Sequence, residues 1–420
     1  MRRHIAAAAI QLLAHDRASL GRAWPNIAQQ IRAAAHGGAD LVVLPEGTLP
    51  AYVLGRERFE EGEIAEALAA CAQLARELEI VLVAGAARSA RDRIFNSAMV
   101  FDADGTLAGV ADKHFLWHFD RQWFARGEQL QPIRTSLGVL GVLICADGRI
   151  PTIARALVDR GAEVLVMPTA WVTSGRDPAN LENIQADLLA RVRARENGVP
   201  FVAANKCGVE LHCVAYCGKS QLVRADGSIA AVASETQPEI LAGEIELGSG
   251  RPMRSRAALP EPRAQRDGAA RTLRIAISAH EGHARDPNLV RILEADQLIA
   301  PDALANYEPF SDDFVHDPGG LAAYRLAGAD IAIWLTAKDD GWQVSFARAR
   351  AVELRIYVIV LDTKTKRAYA VDPDGAIVCG TYDGYEIASF TYDPARTRQT
   401  LVAPGTDVRE GLERAHADAR

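Results

Sequence analysis

The sequence has few cysteines, no block of basic residues and no long apolar run. Six cysteines in 420 residues are too sparse for a disulfide scaffold, and their uneven placement predicts reduced thiols in a cytoplasmic protein. A net charge of -7 without a basic block argues against nucleic acids and anionic membranes as partners. No segment approaches the length that spans a bilayer. Small molecules or proteins are therefore the expected partners.

The amino terminus contains the one stretch that is similar to a targeting signal. Residues 1–15 begin with a basic segment and continue with a short apolar run, as a signal peptide does. However, Gln11, His15 and Asp16 follow without a clear cleavage site, and a helical pattern comes next. We therefore interpret this stretch as the first strand of a folded domain.

The rest of the chain alternates between predicted strands and helices. Apolar runs rich in β-branched residues predict buried strands, and apolar residues at helical spacing predict the helices between them. These elements are a helix at 19–36, a strand at 41–44, a helix at 64–78, a strand at 80–87, a hairpin turning at 104–105, a strand at 139–144, a helix at 151–159, a helix at 181–197, a strand at 199–205 and a hairpin turning at 226–227. Their order predicts an α/β fold with a mixed sheet.

The chain is too long for one ordinary core, and its composition changes after the second hairpin. Residues 248–272 are rich in glycine, proline and arginine and have no hydrophobic periodicity, which predicts a linker. The linker separates a domain at 1–247 from a smaller α/β unit at 273–420.

The smaller unit repeats four sequence blocks of the first domain. LRIAISAHEG resembles GVLICADG, GADIAIWLTA resembles GAEVLVMPTA, FARARAVE resembles LARVRARE, and DPDGAIV resembles RADGSIA. We therefore predict a partial copy of the carboxyl-terminal half of the domain. The match pairs Ser278 with Cys145, and no counterpart of the LPEG or DKH segments precedes Ser278. The copy is accordingly predicted to be non-catalytic.

Three residues with complementary chemistry follow predicted strands. Glu46 comes after the strand at 41–44, Lys113 after the first hairpin, and Cys145 after the strand at 139–144. Open α/β sheets bind ligands at the carboxyl ends of their strands. Alone, each residue has an ordinary explanation, as a solvated carboxylate, a surface lysine or a small buried thiol. Together they supply a nucleophile, a base for its proton and a cation for an oxyanion.

The segments that carry these residues resemble those of the nitrilase superfamily of carbon–nitrogen hydrolases, in its amidase-type branch. They are LVVLPEGT, ADKHF and GVLICADGRIP, with RARENGVPFVAANKCG and GKSQLVRADGSI as supporting blocks. The resemblance implies an αββα sandwich and a reaction without a cofactor. It also implies that Cys145 is the nucleophile, Glu46 the general base and later acid, and Lys113 the oxyanion donor. A thioester would form and then be hydrolysed.

Further residues in these segments are candidates for catalysis or substrate binding. Many amide-cleaving relatives have a second glutamate where this chain has Asp120, which is shorter by one methylene. Arg149 stands where relatives with carboxylate-bearing substrates often have an arginine, and a guanidinium there can clamp a carboxylate. An ion pair with Asp147 is the alternative role of Arg149. Trp117 and Trp171 are candidates for lining a pocket, although aromatic clusters more often form plain core.

These features favour an enzyme that hydrolyses the carbon–nitrogen bond of a small amide or N-carbamoyl compound and releases ammonia or an amine. A nitrile hydrolase is one alternative, although true nitrilases tend to have Trp and Glu after the nucleophile, where this chain has Ala146 and Asp147. An inactive binding or scaffold protein with the same fold is another. Relatives commonly dimerise, so we expect a homo-oligomer or an intrachain pseudo-dimer.

One stretch rich in cysteine and histidine raises the question of a metal site. Cys207, His212, Cys213 and Cys217 are close in sequence, and zinc binds such ligands. The stretch lacks the paired CxxC spacing that is typical of structural zinc sites. We therefore expect free thiols here and no bound metal.

Overall fold

The computed structural model describes residues 3–173, 177, 179–249, 271–283, 294–304, 309–312, 317–338 and 340–418. The chain divides into two compact units, Met1–Met253 and Arg254–Arg420. Most of the predicted linker, residues 250–270, lies outside the described residues. Across the described ranges, no helix combines the length and the apolar character that a membrane-spanning segment needs.

The first unit has the predicted alternation of strands and helices. Its strands are β1 (His4–Leu13), β2 (Leu41–Val43), β3 (Val81–Ala90), β4 (Arg93–Phe101), β5 (Leu107–Asp112), β6 (Ile133–Thr135), β7 (Gly138–Val142), β8 (Val164–Pro168), β9 (Phe201–Ala204), β10 (Lys206–Glu210), β11 (Val214–Cys217), β12 (Gln221–Val223), β13 (Ile229–Val232) and β14 (Glu239–Glu246). Its helices are α1 (Leu20–His36), α2 (Ala65–Leu78), α3 (Pro151–Asp159) and α4 (Ala190–Asn197), with short 3-10 helices at His118–Gln122 and Cys145–Arg149. The apolar run near the amino terminus forms strand β1, as predicted.

Two sheets face each other in the first unit. One has the strand order β11-β10-β1-β2-β3-β4-β5 with β14 also paired to β1, and the other has the order β13-β12-β9-β8-β7-β6. Strands β1, β2 and β3 contact β8 and β9 across the interior, α1 and α2 pack on the first sheet, and α3 and α4 pack on the second. The structure therefore confirms the αββα arrangement.

The buried faces of these elements explain why the sequence pattern predicted them. In α1 the buried residues Leu20, Ile27, Ile31 and Ala34 lie on one side of the helix, and the helix ends before a pair of glycines. Strand β2 is buried along its whole length, because sheet neighbours and both layers cover it. The short apolar run is therefore a central strand, and its carboxyl end opens toward the site described below.

Two stretches of the first unit differ from the prediction. The helix predicted at 181–197 begins later, with a π-helical turn at Gln185–Leu189 that continues into α4. Asn183 Oδ1 accepts the N–H of Gln185 at 2.9 Å, which favours a start at this point. Residues of the cysteine-rich stretch form the hairpin of β10 and β11, in which Cys207 lies opposite Cys217.

The second unit is also built from strands and helices. Its strands are β15 (Leu273–Ile277), β16 (Gln297–Ile299), β17 (Ile331–Thr336), β18 (Tyr357–Asp362), β19 (Arg367–Val371), β20 (Ile377–Gly380), β21 (Ala388–Tyr392), β22 (Leu401–Ala403) and β23 (Thr406–Asp407), and its helices are α5 (Pro318–Leu326), α6 (Gln343–Leu354), α7 (Pro394–Arg398) and α8 (Val408–Asp418). The described strands pair in the orders β16-β15-β21, β17-β18-β19-β20 and β22-β23. Apolar side chains of β15, β17 and β18 share one core.

The pairing of β15 shows that the match of Ser278 with Cys145 is wrong. Strand β15, which precedes Ser278, is parallel to β16 and antiparallel to β21. Strand β1 has the same neighbours, a parallel β2 and an antiparallel β14. Strand β7, which leads to Cys145, also has one antiparallel and one parallel neighbour, but its antiparallel partner β6 directly precedes it in the chain, whereas β14 and β21 come after β1 and β15. The connections of the strand before Ser278 therefore resemble those of β1 and not those of the strand before Cys145.

Candidate active site

The three residues predicted from strand ends meet in the interior of the first unit. Glu46 follows β2, Lys113 directly follows β5, and Cys145 opens the 3-10 helix after β7. Glu46 and Lys113 are completely buried, and Cys145 is 4% exposed. The Nζ atom of Lys113 lies 2.7 Å from Glu46 Oε1. The sequence prediction therefore selected residues that the fold brings together.

The two carboxylate oxygens of Glu46 differ in their hydrogen bonding. Its Oε1 accepts hydrogen bonds from Lys113 Nζ at 2.7 Å and from Asn96 Nδ2 at 2.6 Å. Its Oε2 is buried and has no hydrogen-bond partner among the described residues. Burial raises the pKa of Glu46, and the charge of Asp120 adds to this rise, whereas Lys113 opposes it. Glu46 is thus a carboxyl group that binds a proton more readily than an exposed glutamate.

Lys113 lies between two carboxylates. Besides Glu46, it contacts Asp120, whose Oδ2 is 2.6 Å from Nζ. Burial alone would lower the pKa of Lys113, but Asp120 and Glu46 hold it well above its usual value. The ammonium group therefore keeps its charge although it is completely buried, and a buried cation interacts strongly with a developing negative charge.

Asp120, which the family resemblance matches to a second glutamate, reaches the lysine despite its shorter side chain. It lies in the 3-10 helix His118–Gln122 and is completely buried. Its Oδ1 accepts the hydroxyl of Tyr52 at 3.0 Å, and its Oδ2 accepts the N–H of Trp117 at 2.9 Å. With Lys113, three donors surround this carboxylate and fix its position.

Cys145 sits on a turn that its neighbour Asp147 holds in place. The backbone of Cys145 is left-handed, with φ at 45°, which is uncommon for a residue with a Cβ. Asp147 Oδ2 accepts the N–H of Ile144 at 2.9 Å, and its Oδ1 accepts the N–H groups of His114 at 3.0 Å and Phe115 at 2.7 Å. One buried side chain thus joins the turn of Cys145 to the segment that follows Lys113.

The Cys145 thiol is protonated in the resting site. Burial raises the pKa of the thiol and the charge of Glu46 raises it further, whereas Lys113 and the side chain of Thr169 lower it. A nucleophile of this kind needs a base within reach when it attacks. The Glu46 carboxyl is close enough to the thiol to shift its pKa, and it is such a base.

A glycine makes the close approach of Glu46 to the neighbouring strand possible. Strand β3 runs parallel to β2 and continues past its end. A Cβ added at Gly85 would lie 2.7 Å from the Cα of Glu46, closer than real Cβ contacts come. The glycine therefore lets the backbone that carries Glu46 pack directly against β3.

A second buried network, which the sequence reasoning missed, fixes the loop after Glu46. Lys206 Nζ donates to the carbonyl of Gly47 at 2.9 Å and lies 3.2 Å from Glu210 Oε2. Glu210 also accepts the N–H of Val53 at 2.7 Å and the hydroxyl of Tyr216 at 2.7 Å. The spacing of two opposite charges four residues apart in the cysteine-rich stretch was the one available signal of this pair.

The structure shows where the three predicted substrate-binding residues lie, which are Arg149, Trp117 and Trp171. The guanidinium of Arg149 lies 4.6 Å from the ring centroid of Trp117, in the geometry of a cation–π contact. Trp171 is buried, and its backbone N–H donates to Asn205 Oδ1 at 2.8 Å. Its indole N–H has no hydrogen-bond partner within the described part of the chain. Such a buried donor is available to a ligand.

The cysteine-rich stretch does not assemble a set of metal ligands. Cys207 and Cys217 are buried on adjacent strands, whereas Cys213 is exposed. Within the described ranges, no group of three or more His, Cys, Asp or Glu side chains has the arrangement of a metal site. The stretch contributes strands and the Lys206–Glu210 pair to the first unit.

Comparisons with known proteins identify similar chains over the same region. The family model described as carbon-nitrogen hydrolase matches residues 6–255. A nitrilase of Pyrococcus abyssi is 32% identical over 52% of this chain and 80% of its own length. An N-carbamoylputrescine amidase of Oryza sativa is 28% identical over 52% of this chain and 78% of its own. The crystal structure of a carbon-nitrogen hydrolase from Helicobacter pylori matches with a TM-score of 0.52 at 31% identity, covering 58% of this chain and 89% of that one.

Proposed function

Since the chain belongs to the carbon–nitrogen hydrolase family, whose members act on non-peptide carbon–nitrogen bonds, we propose that its first unit hydrolyses a small amide or N-carbamoyl compound. Cys145 is the nucleophile, Glu46 the general base and acid, and Lys113 the oxyanion donor in this proposal. The observation that carries it is the buried contact of Lys113 with both Glu46 and Asp120 beside the Cys145 thiol.

Acylation begins with attack of the Cys145 sulfur on the carbonyl carbon of the substrate. The thiol proton moves to Glu46, whose Oε2 has no competing hydrogen bond among the described residues. The carbonyl oxygen becomes an oxyanion, which accepts hydrogen bonds from Lys113 and from the backbone N–H of Ala146. Glu46 then donates its proton to the departing nitrogen, the carbon–nitrogen bond breaks, and ammonia or an amine leaves a thioester behind.

Deacylation repeats these steps with water in place of the thiol. Glu46 accepts a proton from the water, whose oxygen attacks the thioester carbon, and Lys113 again faces the oxyanion. The carbon–sulfur bond breaks, the proton returns to the sulfur, and an acid is released. Asp120 has a distinct task here, because Glu46 loses its charge whenever it holds a proton. Asp120 then remains as the anionic partner of Lys113.

The residues near the nucleophile support a substrate that carries a carboxylate. Arg149 lies four positions after Cys145 and packs on Trp117, so its guanidinium is held in a fixed orientation. A guanidinium binds a carboxylate through paired hydrogen bonds, which favours ω-amido acids and N-carbamoyl amino acids over neutral amides. The unpartnered indole N–H of Trp171 is a second donor for a polar substrate group. Nitriles are the second candidate class, because a nitrilase is among the similar proteins.

The test is ammonia release from a panel of short amides, ω-amido acids, N-carbamoyl amino acids and nitriles. We expect the parent to act on one class and C145A to act on none. C213A, which alters an exposed cysteine, is the matched control and should retain full activity. A parent that is silent on the whole panel, with a Cys145 that no thiol reagent labels, would leave the inactive binding protein as the better explanation.

Two further properties remain predictions of this proposal. All six cysteines are free thiols, which supports a reducing compartment such as the cytoplasm. A homo-oligomer or an intrachain pseudo-dimer is expected from the family resemblance, and light scattering on the purified chain would distinguish them.

A further inference from the structure

We propose that the second unit is a shortened copy of the first in which Asp312 occupies the position of Cys145 and Asp302 that of Glu46. The copy would lack any counterpart of Lys113, so each chain would have one catalytic centre. The claim of a single centre rests on the proposed function, whereas the claim of a copy does not. Five observations carry the inference.

The first observation is a gapless alignment around helix α5. Helices α3 and α5 both begin at a proline, Pro151 and Pro318, and each is followed by a buried strand, β8 or β17. The alignment that pairs these prolines also pairs the GAEVLVMPTA block with GADIAIWLTA, without insertion or deletion. Extended backward from the prolines, the same alignment pairs Cys145 with Asp312.

The second observation is a conserved backbone contact just before this position. In the first unit the N–H of Leu143 donates to the carbonyl of Val166 at 3.1 Å. The aligned residues of the second unit make the same contact, from the N–H of Phe310 to the carbonyl of Ile333 at 2.7 Å. Phe310 also forms a parallel bridge with Trp334 on β17. Phe310 is therefore what remains of the strand equivalent to β7.

The third observation concerns the side chain at the nucleophile position. The threonine that follows β8, Thr169, is close enough to Cys145 to lower the pKa of its thiol, although its hydroxyl makes no hydrogen bond to a described residue. Its aligned counterpart Thr336 donates its hydroxyl to Asp312 Oδ1 at 2.6 Å. In both units a threonine that follows the central strand thus neighbours the residue at the nucleophile position, although only Thr336 makes a hydrogen bond to it.

The fourth observation locates the counterpart of the base. Strand β16 pairs with β15 as β2 pairs with β1, and the residues after it, Ala300, Pro301 and Asp302, align with the LPE of the first unit. An APDA segment thus stands after Ser278 at the place that LPEG has in the first unit. Asp302 Oδ2 accepts the backbone N–H of Gly282 at 2.8 Å.

The fifth observation is a buried ion pair on the aligned helices α4 and α6. Arg193 pairs with Glu196 in the first unit, and Arg350 pairs with Glu353 at 2.6 Å in the second. All four side chains are completely shielded from solvent. Arg193 also donates to the carbonyl of Gly148 at 2.9 Å, in the turn that Cys145 begins. A buried pair at equivalent helix positions is unusual enough to support common origin.

The copy lacks what the proposed reaction needs. Residues 303–311 link Asp302 to Asp312 directly and contain no lysine, whereas in the first unit β3, β4 and β5 supply Lys113. The cation near Asp312 is Lys338, 3.2 Å from Oδ2, and its side chain is 76% exposed, against 0% for Lys113. A hydrated lysine stabilises an oxyanion weakly, and Asp312 offers no thiol to form a thioester.

The test compares ammonia release by four full-length variants, C145A, C145A/D312C, D312N and D302N, with that of the parent. We expect C145A and C145A/D312C to be equally inactive, and D312N and D302N to match the parent within the error of the assay. Hydrolysis restored by C145A/D312C, or activity lost from a folded D312N, would overturn the single centre. Circular dichroism verifies that each variant is folded.

A second arm of the test does not depend on any substrate. In an experimental structure, superposing β15, β16 and β17 on β1, β2 and β8 should place the Cα of Asp312 on that of Cys145. A superposition that puts another residue there would overturn the copy itself. A parent without activity on any amide would refute the proposed function but leave this structural comparison decisive.

Discussion

Replacing Asp120 by Asn tests whether Lys113 needs two carboxylates. Asp120 Oδ2 and Glu46 Oε1 lie 2.6 Å and 2.7 Å from the same Nζ atom. Asparagine keeps the shape of the side chain and an oxygen that can accept the Tyr52 hydroxyl, but it removes the charge. In D120N, Lys113 would depend on Glu46 alone, and that partner loses its charge whenever it holds the proton of the reaction.

The expected loss follows from one charge-assisted hydrogen bond. Such a bond in a buried site contributes about 1.5–3 kcal/mol. Since about 1.4 kcal/mol corresponds to a factor of ten in rate, kcat/KM should fall by roughly 10- to 150-fold. The negative charge of Asp120 also raises the pKa of Glu46, so its removal lowers that pKa. Glu46 would then ionise at lower pH, and the acid limb of the pH profile would shift to lower pH.

The assay is ammonia release measured across the pH range for the parent, D120N and D120E. D120E restores the charge with one extra methylene and should recover part of the activity. D383N alters an aspartate whose side chain is 96% exposed and is the matched control. A D120N enzyme with unchanged kcat/KM and an unchanged acid limb would refute the assignment of Asp120 as the lasting partner of Lys113.

Three further outcomes are expected. D147A leaves three buried backbone N–H groups without an acceptor, and each costs about 1–3 kcal/mol. Urea unfolding should therefore show a large loss of stability for D147A and a smaller loss for D147N, which keeps an acceptor oxygen. Equal losses in the two variants would contradict this reasoning. K206M removes the donor to the carbonyl of Gly47 and should lower kcat more than it raises KM. K206R should recover part of the lost kcat. An unaltered kcat in K206M would show that the hydrogen bond from Lys206 to Gly47 is dispensable. The raised pKa of Glu46 predicts that kcat/KM increases with pH around a midpoint above 4.5, and a midpoint at or below that value would count against Glu46 as the base.

The strand-end residues could be predicted because their strands have strong local signals. Glu46 and Cys145 each follow a continuous apolar run, which marks the carboxyl end of a buried strand, although these strands, β2 and β7, belong to the two facing sheets. Asn96 gave no comparable signal, since it lies within β4 and reaches Glu46 only through the pairing of β4 with β3. Which strands are neighbours is a tertiary property, and no local pattern encodes it.

Two other features depend on a turn and on buried charges, and local sequence patterns predict neither. Asp120 reaches Lys113 because His118, with φ at 45°, opens the 3-10 helix that carries it, and a left-handed histidine cannot be foreseen from composition. Strand β10 was missed because the buried charges of Lys206 and Glu210 replace apolar residues that would have marked it. Charged residues usually indicate an exposed loop, and here they pair inside the core.

The left-handed backbone of Cys145 has a consequence for the thermal stability of this protein. A residue with a Cβ in that conformation costs about 1–2 kcal/mol, and glycine would avoid the cost. C145G should therefore melt at a higher temperature than C145A, which keeps the Cβ. The nucleophile therefore occupies a position where glycine would give the more stable protein, and selection for thermal stability alone would not retain a cysteine there.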